Sequence, residues 1–239
     1  MANKVTKHIP NTITCMNLFS GCVASVMAFW HLYDFALLCI VLSAVFDFFD
    51  GLAARALDAH SIIGKDIDSL ADDISFGFAP SAIMFAFLSD YIIEEGDWMD
   101  YVPFIAFLIA VFSALRLAKF NNDSRQVSSF FGLPVPANAL FWSASVVGFY
   151  NWMLSIPLWT ILVAILVSCW LLVSEVPMFS LKFKNLTWAE NKVRFVFLAV
   201  CVALLFLGIR GIALIILWYI ALSVILWIYN INNSKKELT

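Results

Sequence analysis

The chain of 239 residues is 63% hydrophobic and only 13% charged, with a formal net charge of −3 and a mean hydropathy of +0.92. A water-soluble globular domain has about half apolar residues and about a quarter charged ones, so this composition excludes an ordinary soluble fold. No basic tract suggests nucleic-acid binding, and the small net charge says little about partners because most of the surface would face lipid.

Long apolar runs recur along the chain, many of them about 20 residues long, which is the length a helix needs to cross about 30 Å of hydrocarbon. Backbone polar groups in lipid must be paired within the segment, and the two-residue alternation of barrel strands is absent, so these runs are predicted to be helices. We therefore predict an all-α integral membrane protein with about eight transmembrane helices, near residues 11–30, 34–57, 66–92, 102–120, 135–151, 156–174, 193–209 and 211–231.

The basic residues predict the orientation of these spans. With the N-terminus in the cytoplasm, 13 of the 14 Lys and Arg residues fall at cytoplasmic ends, and only Arg210 falls outside, as does the acidic loop Glu94–Asp100. Lys4 and Lys7 before the first apolar stretch could belong to a signal peptide, but no small-residue cleavage site follows, so a retained first span is expected.

The five cysteines, Cys15, Cys22, Cys39, Cys169 and Cys201, all fall within apolar stretches. They lack paired metal-ligand spacing, and unpaired thiols that pack as small hydrophobic groups are expected.

Residues 47–72 hold the most specific pattern in the sequence. The aspartates form two pairs at helical spacing, one near the end of span two and one near the start of span three. The connector is short, so the two helices are predicted to be antiparallel neighbours whose carboxylate pairs face each other. Small residues beside them leave room for a ligand near the backbone, and an arginine is placed to meet a phosphate oxygen. The residues of the pattern are Asp47, Asp50, Gly51, Ala54, Arg55, Gly64, Asp68 and Asp72.

Four converging carboxylates near a membrane boundary repel one another and are costly to desolvate, so a counter-charge is needed. Hard oxygen ligands suit Mg²⁺, Mn²⁺ or Ca²⁺, and two such cations could polarise a diphosphate. One carboxylate at the rim could instead accept a proton from an incoming hydroxyl group. Asp73 points about 100° away from Asp72 around the helix and is interpreted either as a helix–helix hydrogen-bonding residue or as a helix-end residue whose carboxylate snorkels to the interface.

The pattern Asp-x2-Asp-Gly-x2-Ala-Arg-x8-Gly-x3-Asp-x3-Asp resembles the signature of the CDP-alcohol phosphatidyltransferase family at every specified position. The resemblance implies a six-helix membrane core with extra helices, usually in a homodimer. It also implies transfer of a phosphatidyl group from CDP-diacylglycerol to an alcohol, with release of CMP. By the same resemblance, Asp47, Asp50, Asp68 and Asp72 would bind two divalent cations, Mg²⁺ or Mn²⁺. Asp72 would also be the general base, and Gly51, Ala54, Arg55 and Gly64 would lie along the CDP moiety.

Three further segments are similar to bacterial and archaeal phosphatidylserine synthases, which implies L-serine as the acceptor. They are Ile9–Thr14, Asp68–Pro80, and Arg116–Asn121 followed by Gly132–Ala137. Asp73 departs from this branch, which usually has an apolar residue there, and so does Asn138, where alanine is usual.

Three residues at the cytoplasmic end of span four are candidates for the acceptor site: Arg116, Lys119 and Asn121. A zwitterionic acceptor needs a cation for its carboxylate. The alternative is that Arg116 and Lys119 only follow the positive-inside rule. The resemblance covers roughly residues 9–140, and the whole chain, 1–239, is expected to be one catalytic membrane domain with its core at about 9–175 and additional helices at about 193–231.

Other functions stay open on the sequence. A sister enzyme could use glycerol 3-phosphate, but that dianion should require more cationic residues, and an inositol phosphate or choline acceptor is also possible. A divalent-cation transporter would use the aspartates as a relay, although no internal repeat or broken mid-membrane helix supports it. A purely structural membrane protein would leave the aspartates unexplained. The expected location is the cell (inner) membrane, with both termini and the active site cytoplasmic.

Overall fold

Helices account for nearly all of the computed structural model, which describes residues 8–59, 62–92, 98–123, 130–179 and 187–236. Helix α3 continues through a π-helical segment, Asp73–Phe78, into α4, and a 3₁₀ segment, Trp98–Phe107, leads into α5. The helices are α1 (Ile9–Phe29), α2 (Tyr33–Ala56), α3 (Ile62–Asp72), α4 (Ala79–Tyr91), α5 (Leu108–Asn122), α6 (Val135–Ser155), α7 (Leu158–Val173), α8 (Trp188–Leu205) and α9 (Ile209–Lys236). Two short strands, β1 (Phe130–Phe131) and β2 (Pro177–Met178), pair antiparallel.

Each of the eight predicted spans coincides with a helix or a continuous helical run, so the all-α prediction is confirmed. Helix α3 begins at Ile62, which places Gly64 in its first turn. Helix α8 begins at Trp188, earlier than the predicted residue 193. The acidic loop at 94–100 lies largely outside the described residues, as do Lys4, Lys7, Arg125, Lys182 and Lys184.

The apolar exterior of the bundle is that of a membrane protein. Within the described residues, five helical runs are long and apolar enough to cross a bilayer, and α7 is a shorter apolar helix of 16 residues. Large apolar side chains such as Phe19, Trp159 and Phe206 are exposed, which suits a surface solvated by lipid. The five runs are Ile9–Phe29, Tyr33–Ala56, Ile63–Tyr91, Trp98–Asn122 and Ile209–Tyr229.

The core of the bundle lies around α4, which packs against α1, α6 and the 3₁₀ segment. Phe76, Ile83, Met84 and Phe87 are fully buried there. Close helix approach depends on small residues, since a Cβ on Gly21 of α1 would lie 2.7 Å from the Cα of Ser75. This contact brings the π-helical segment against α1.

The bundle has two ends. The site end is where α1 and α3 begin and where α2 and α5 finish, as shown by the contact of Lys65 Nζ with the Asn121 carbonyl oxygen at 3.4 Å. The opposite end is where α4 and α6 finish and α9 begins. There the Arg210 Nε donates to the Gly148 carbonyl oxygen at 2.8 Å.

The β1–β2 pair forms a strap at the site end that the sequence did not predict. The Gly132 N–H donates to the Val176 carbonyl oxygen at 2.9 Å, and the Phe179 N–H donates to the Ser223 Oγ at 3.0 Å. The strap therefore ties the start of α6 and the end of α7 to the last helix, α9.

Candidate active site

Three aspartates converge at the site end. Asp47 and Asp50 lie one turn apart on α2, Asp68 lies on α3, and α1 packs against both helices. One carboxylate oxygen from each of the three lies within 4.8 Å of the others. The two carboxylate pairs predicted from sequence therefore do approach each other, across a space bordered by α1.

Thr14 of α1 supports the buried carboxylate of the cluster. Its Oγ1 lies 2.7 Å from the Asp50 Oδ2 and 3.1 Å from the Pro10 carbonyl oxygen. A hydroxyl group has one proton, and the shorter, charge-assisted contact to Asp50 is the stronger one. Asp50 is only 6% exposed. The hydrogen bond holds its carboxylate in place beside the cluster.

Asp72 lies outside this tightest set of three but interacts electrostatically with Asp47 and Asp68. The Asn17 Nδ2 donates to the Asp72 Oδ1 at 3.2 Å. Asn17 is itself fully buried, and its main-chain carbonyl oxygen accepts hydrogen bonds from the Ser43 and Ser75 hydroxyl groups at 3.1 and 3.0 Å. The Asp72 carboxylate is thus oriented from α1 through one of its two oxygens.

A cavity of about 660 Å³ opens beside the carboxylates. A Cβ on Gly51 would meet nothing within 4 Å, so the packing of the fold does not require a glycine there. The space beside Gly51 is open to a ligand, as the small-residue pattern predicted. The cavity is lined by Pro10, Asn11, Thr14, Asp50, Gly51, Ala54, Arg55, Ala59, Gly64, Lys65, Asp66 and Asp68.

The charges around this cavity are separated. The carboxylates of Asp50 and Asp68 lie on the side of the cluster, whereas Arg55 and Lys65 are exposed cations that line the cavity. In the described part of the chain, no carboxylate forms an ion pair with Arg55. Such an arrangement can hold a cation at the acidic side and a phosphate group between that cation and the guanidinium.

The donor set fits a hard divalent cation. Asp47, Asp50 and Asp68 offer carboxylate oxygens only, which suit Mg²⁺ or Mn²⁺ and disfavour zinc. The close approach of three anionic groups is itself costly, since no cationic side chain in the described part of the chain pairs with them, and a bound cation would relieve this cost. The geometry therefore agrees with the cation site predicted from sequence.

The three candidate acceptor residues have different surroundings. Arg116 is 4% exposed, and its guanidinium carbon lies 5.0 Å from the centre of the Phe120 ring. Lys119 donates to the Val173 carbonyl oxygen at 3.1 Å and pairs with Glu175 at 3.5 Å. The Lys119 contacts join α5 to the end of α7.

Asn121 lies against α3, beside the cluster. Its Nδ2 donates to the Ser69 Oγ at 2.7 Å, and Ser69 follows Asp68 directly. Asn121 therefore anchors the end of α5 to the helix that carries one half of the carboxylate cluster.

Thr14 and Asn17 are the residues whose place beside the carboxylates was not predicted. Both are polar residues of a largely apolar helix, and Thr14 closes the segment Ile9–Thr14. A buried polar side chain needs a hydrogen-bonding partner. Their spacing of three puts them on one face of α1, which is the only signal in the sequence that could have pointed to the aspartates.

Comparison with known proteins agrees with this site. A family model for CDP-alcohol phosphatidyltransferase matches residues 7–170, which contain the whole carboxylate pattern. The chain is similar to the CDP-diacylglycerol–serine O-phosphatidyltransferase of Bacillus subtilis, with 35% identity over 133 residues, 54% of this chain and 70% of that protein.

Two other relatives are matched over less of their length. The protein of the same name from Mycobacterium tuberculosis is 34% identical over 140 residues, 55% of this chain and 46% of that protein. An archaetidylserine synthase of Methanothermobacter thermautotrophicus is 31% identical over 155 residues, 62% of this chain and 63% of that protein. Since the family model matches well over half of the sequence, this chain belongs to the CDP-alcohol phosphatidyltransferase family.

Proposed function

We propose that this protein transfers the phosphatidyl group from CDP-diacylglycerol to L-serine, giving phosphatidylserine and CMP. The observation that carries the proposal is the cavity that joins the carboxylate cluster to Gly51, Ala54, Arg55 and Gly64. The names of the bacterial relatives, which act on serine, support the choice of acceptor. The name of the archaeal relative, an archaetidylserine synthase, supports it as well.

In this proposal, Asp47, Asp50, Asp68 and Asp72 hold two divalent cations, Mg²⁺ or Mn²⁺. The cations supply Lewis-acid polarisation of the diphosphate and neutralise the charge on its oxygens. Thr14 fixes the Asp50 carboxylate for this task. Arg55 contacts a phosphate oxygen of the nucleotide, and the backbone at Gly51 and Gly64 gives the CDP moiety room to lie against the helices.

Asp72 is the proposed general base. Its Oδ1 is occupied by the Asn17 amide, so Oδ2 is the oxygen that would take the proton from the serine hydroxyl group. The serine oxygen then forms a bond to the phosphorus that carries diacylglycerol. The bond from that phosphorus to the bridging oxygen of CMP breaks, and CMP leaves with the electron pair.

The lipid part of the substrate would remain in the bilayer. An apolar groove of about 480 Å³ runs between the outer faces of α1 and α2, and Phe49 and Leu52 line it on either side of Asp50 and Gly51 along the helix. Acyl chains that lie in this groove would keep the diphosphate beside the carboxylates.

The proposed location is the cell (inner) membrane with the site end in the cytoplasm. Arg55, Lys65, Arg116 and Lys119 belong to the site end, whereas Arg210 contacts the end of α6 at the opposite end. This excess of basic residues at the site end supports a cytoplasmic location for that end. We further propose that the whole chain is one catalytic domain that acts as a homodimer.

An acceptor screen tests the proposal. Purified protein with CDP-diacylglycerol and Mg²⁺ or Mn²⁺ is offered L-serine, glycerol 3-phosphate, inositol phosphate and choline separately, and CMP release is followed. The expected result is release with L-serine that needs the divalent cation. Release with a different acceptor would contradict the serine assignment, and no release with any acceptor from folded protein would contradict the enzymatic function.

A further inference from the structure

Three of the buried polar atoms that have no hydrogen-bond partner within the described part of the chain belong to the π-helical segment and to α5. They are the Oδ1 of Asp73, the Oγ of Ser113 and the Nε of Arg116. Ser113 is fully buried and Arg116 is 4% exposed. Burial of an unpaired polar group costs free energy, and for a charged group the cost is larger. Groups of this kind at one place indicate a partner that the protein chain does not supply.

Asp73 and Ser113 lie on two packed helical runs and border one small space. A Cβ on Gly77 would lie 2.7 Å from the Asp73 Oδ1 and 3.0 Å from the Ser113 Cβ, so the Asp73 carboxylate and Ser113 border the same small space. The π-helical segment that begins at Asp73 packs along α5. Single π-helical turns of this kind are frequent at functional sites.

The register of the two runs places Arg116 opposite Asp73. The runs are antiparallel, with Ser69 hydrogen-bonded to Asn121 at one point and Gly77 against Ser113 at another. Asp73 is halfway between Ser69 and Gly77 along its run. Arg116 lies near the middle of the interval from Ser113 to Asn121, and it is the buried residue there.

A carboxylate and a guanidinium at the same level of two packed helices would be expected to pair. Among the described residues, however, no ion pair joins Asp73 to Arg116. The Arg116 guanidinium lies over the Phe120 ring. Arg116 is therefore buried and Asp73 partly buried, with one carboxylate oxygen fully buried, and the two opposite charges do not pair.

We propose that Asp73 and Arg116 are the two halves of the acceptor pocket, with Asp73 binding the ammonium group and Arg116 the carboxylate of the amino-acid acceptor. The proposal rests on the proposed transfer to serine and adds the residues that recognise it. A zwitterion brings one charge for each buried group, and its hydroxyl group then lies toward Asp72, the neighbour of Asp73. Ser113 offers a further hydrogen bond between the two.

The pocket would also determine specificity. An acceptor with a phosphate group in place of the ammonium group would put like charges together at Asp73, which is strongly unfavourable in a buried site. An acceptor without an ammonium group would leave the Asp73 carboxylate unpaired. Both are expected to be poor substrates.

The test compares L-serine with 3-hydroxypropanoate, which has the same hydroxyl and carboxylate groups but no ammonium group. For the wild-type protein we expect a KM for L-serine at least about tenfold lower than that for 3-hydroxypropanoate. In Asp73→Asn, the KM for L-serine should rise at least about tenfold, the KM for 3-hydroxypropanoate should change little, and the KM for CDP-diacylglycerol should be unchanged. Asp73→Glu, which keeps the charge, should recover part of the preference.

Asp34→Asn, an exposed residue at the opposite end, is the matched control and should leave both acceptors unchanged. An unaltered KM for L-serine in Asp73→Asn, or an equal loss for the two acceptors, would overturn the proposal. So would a wild-type protein that uses both acceptors with the same KM, a result that does not depend on the folding of any variant. A wild-type protein that is active with another alcohol and inactive with L-serine would instead contradict the proposed function.

Discussion

The charged and polar side chains at the two ends of the bundle differ in how far their hydrogen bonds are satisfied within the protein. At the opposite end, the Asp90 carboxylate is saturated by protein groups: the Tyr33 and Tyr150 hydroxyl groups donate to it at 2.6 and 3.1 Å, and the His31 Nδ1 lies 3.1 Å away. At the site end, Asp47, Asp50 and Asp68 lie close together, and no ion pair to them is formed by a cationic side chain of the described residues. Asp73 and Arg116 there keep buried atoms without a partner in the described residues.

We interpret the polar groups around Asp90 as structural and the unpaired groups at the site end as ligand-binding. Asp90 joins the α1–α2 turn, α4 and α6, and each of its contacts is satisfied within the fold. Under the proposed function, the charges at the site end destabilise the empty fold, and bound cations and substrate would offset this cost. Substitutions at the two ends should therefore act on different properties.

The largest effect is expected from Asp72→Asn. The asparagine is the same size and can keep the contact with Asn17, but it cannot accept the proton of the acceptor hydroxyl group. We expect kcat for CMP release to fall about 10²- to 10⁴-fold, with little change in the thermal unfolding temperature. Initial rates at saturating L-serine check this, and a variant with kcat within about twofold of wild type would rule out Asp72 as the base.

A smaller effect is expected from Thr14→Val, which is nearly isosteric and removes the hydrogen bond to Asp50. The carboxylate would be less well oriented, so the Mn²⁺ concentration for half-maximal activity should rise about 10- to 100-fold. Titration of CMP release with Mn²⁺ measures this, and activity should recover at high Mn²⁺. Thr12→Val, an exposed position on the same helix, is the control and should leave the titration unchanged.

The smallest effects separate two helical glycines. Gly51→Ala places a methyl group in open space, so stability should stay the same or rise by about 0.5–1 kcal/mol while the KM for CDP-diacylglycerol increases. Gly21→Ala would push the Cβ into the backbone of Ser75 and should lower stability. Thermal unfolding and the KM of both variants test the contrast, which would fail if Gly51→Ala were the less stable protein.

Much of the fold could be predicted from the sequence because apolar runs of about 20 residues form transmembrane helices, in which every backbone polar group is paired within the segment. The eight helical spans were predicted in this way, and the convergence of Asp47, Asp50 and Asp68 was predicted from their helical spacing and the short connector between α2 and α3. The π-helical segment was not predicted, since its hydrogen-bond shift leaves no mark on hydropathy. The β1–β2 strap was missed because each strand has only two residues.

Side-chain partners were the least predictable part of the site. Thr14 and Asn17 lie more than 30 residues before the aspartates that they contact, and only helix packing brings them together. Asp73 was interpreted as a helix–helix hydrogen-bonding residue or a snorkelling helix end, and its Oδ1 is buried with no partner among the described residues. Spacing along one helix shows which residues share a face, but it does not show what lies opposite that face.

The most direct test of the contrast between the two ends compares Asp68→Asn with Asp90→Asn, in both activity and thermal unfolding with and without Mn²⁺. We expect Asp68→Asn to lose CMP release by about 10³-fold and to lose the stabilisation by Mn²⁺ that the wild type shows. Asp90→Asn should lose about 1–3 kcal/mol of stability, yet keep the wild-type rate per folded molecule and its response to Mn²⁺. The account would be contradicted if Asp68→Asn kept its activity, or if Asp90→Asn lost activity while its stability remained that of the wild type.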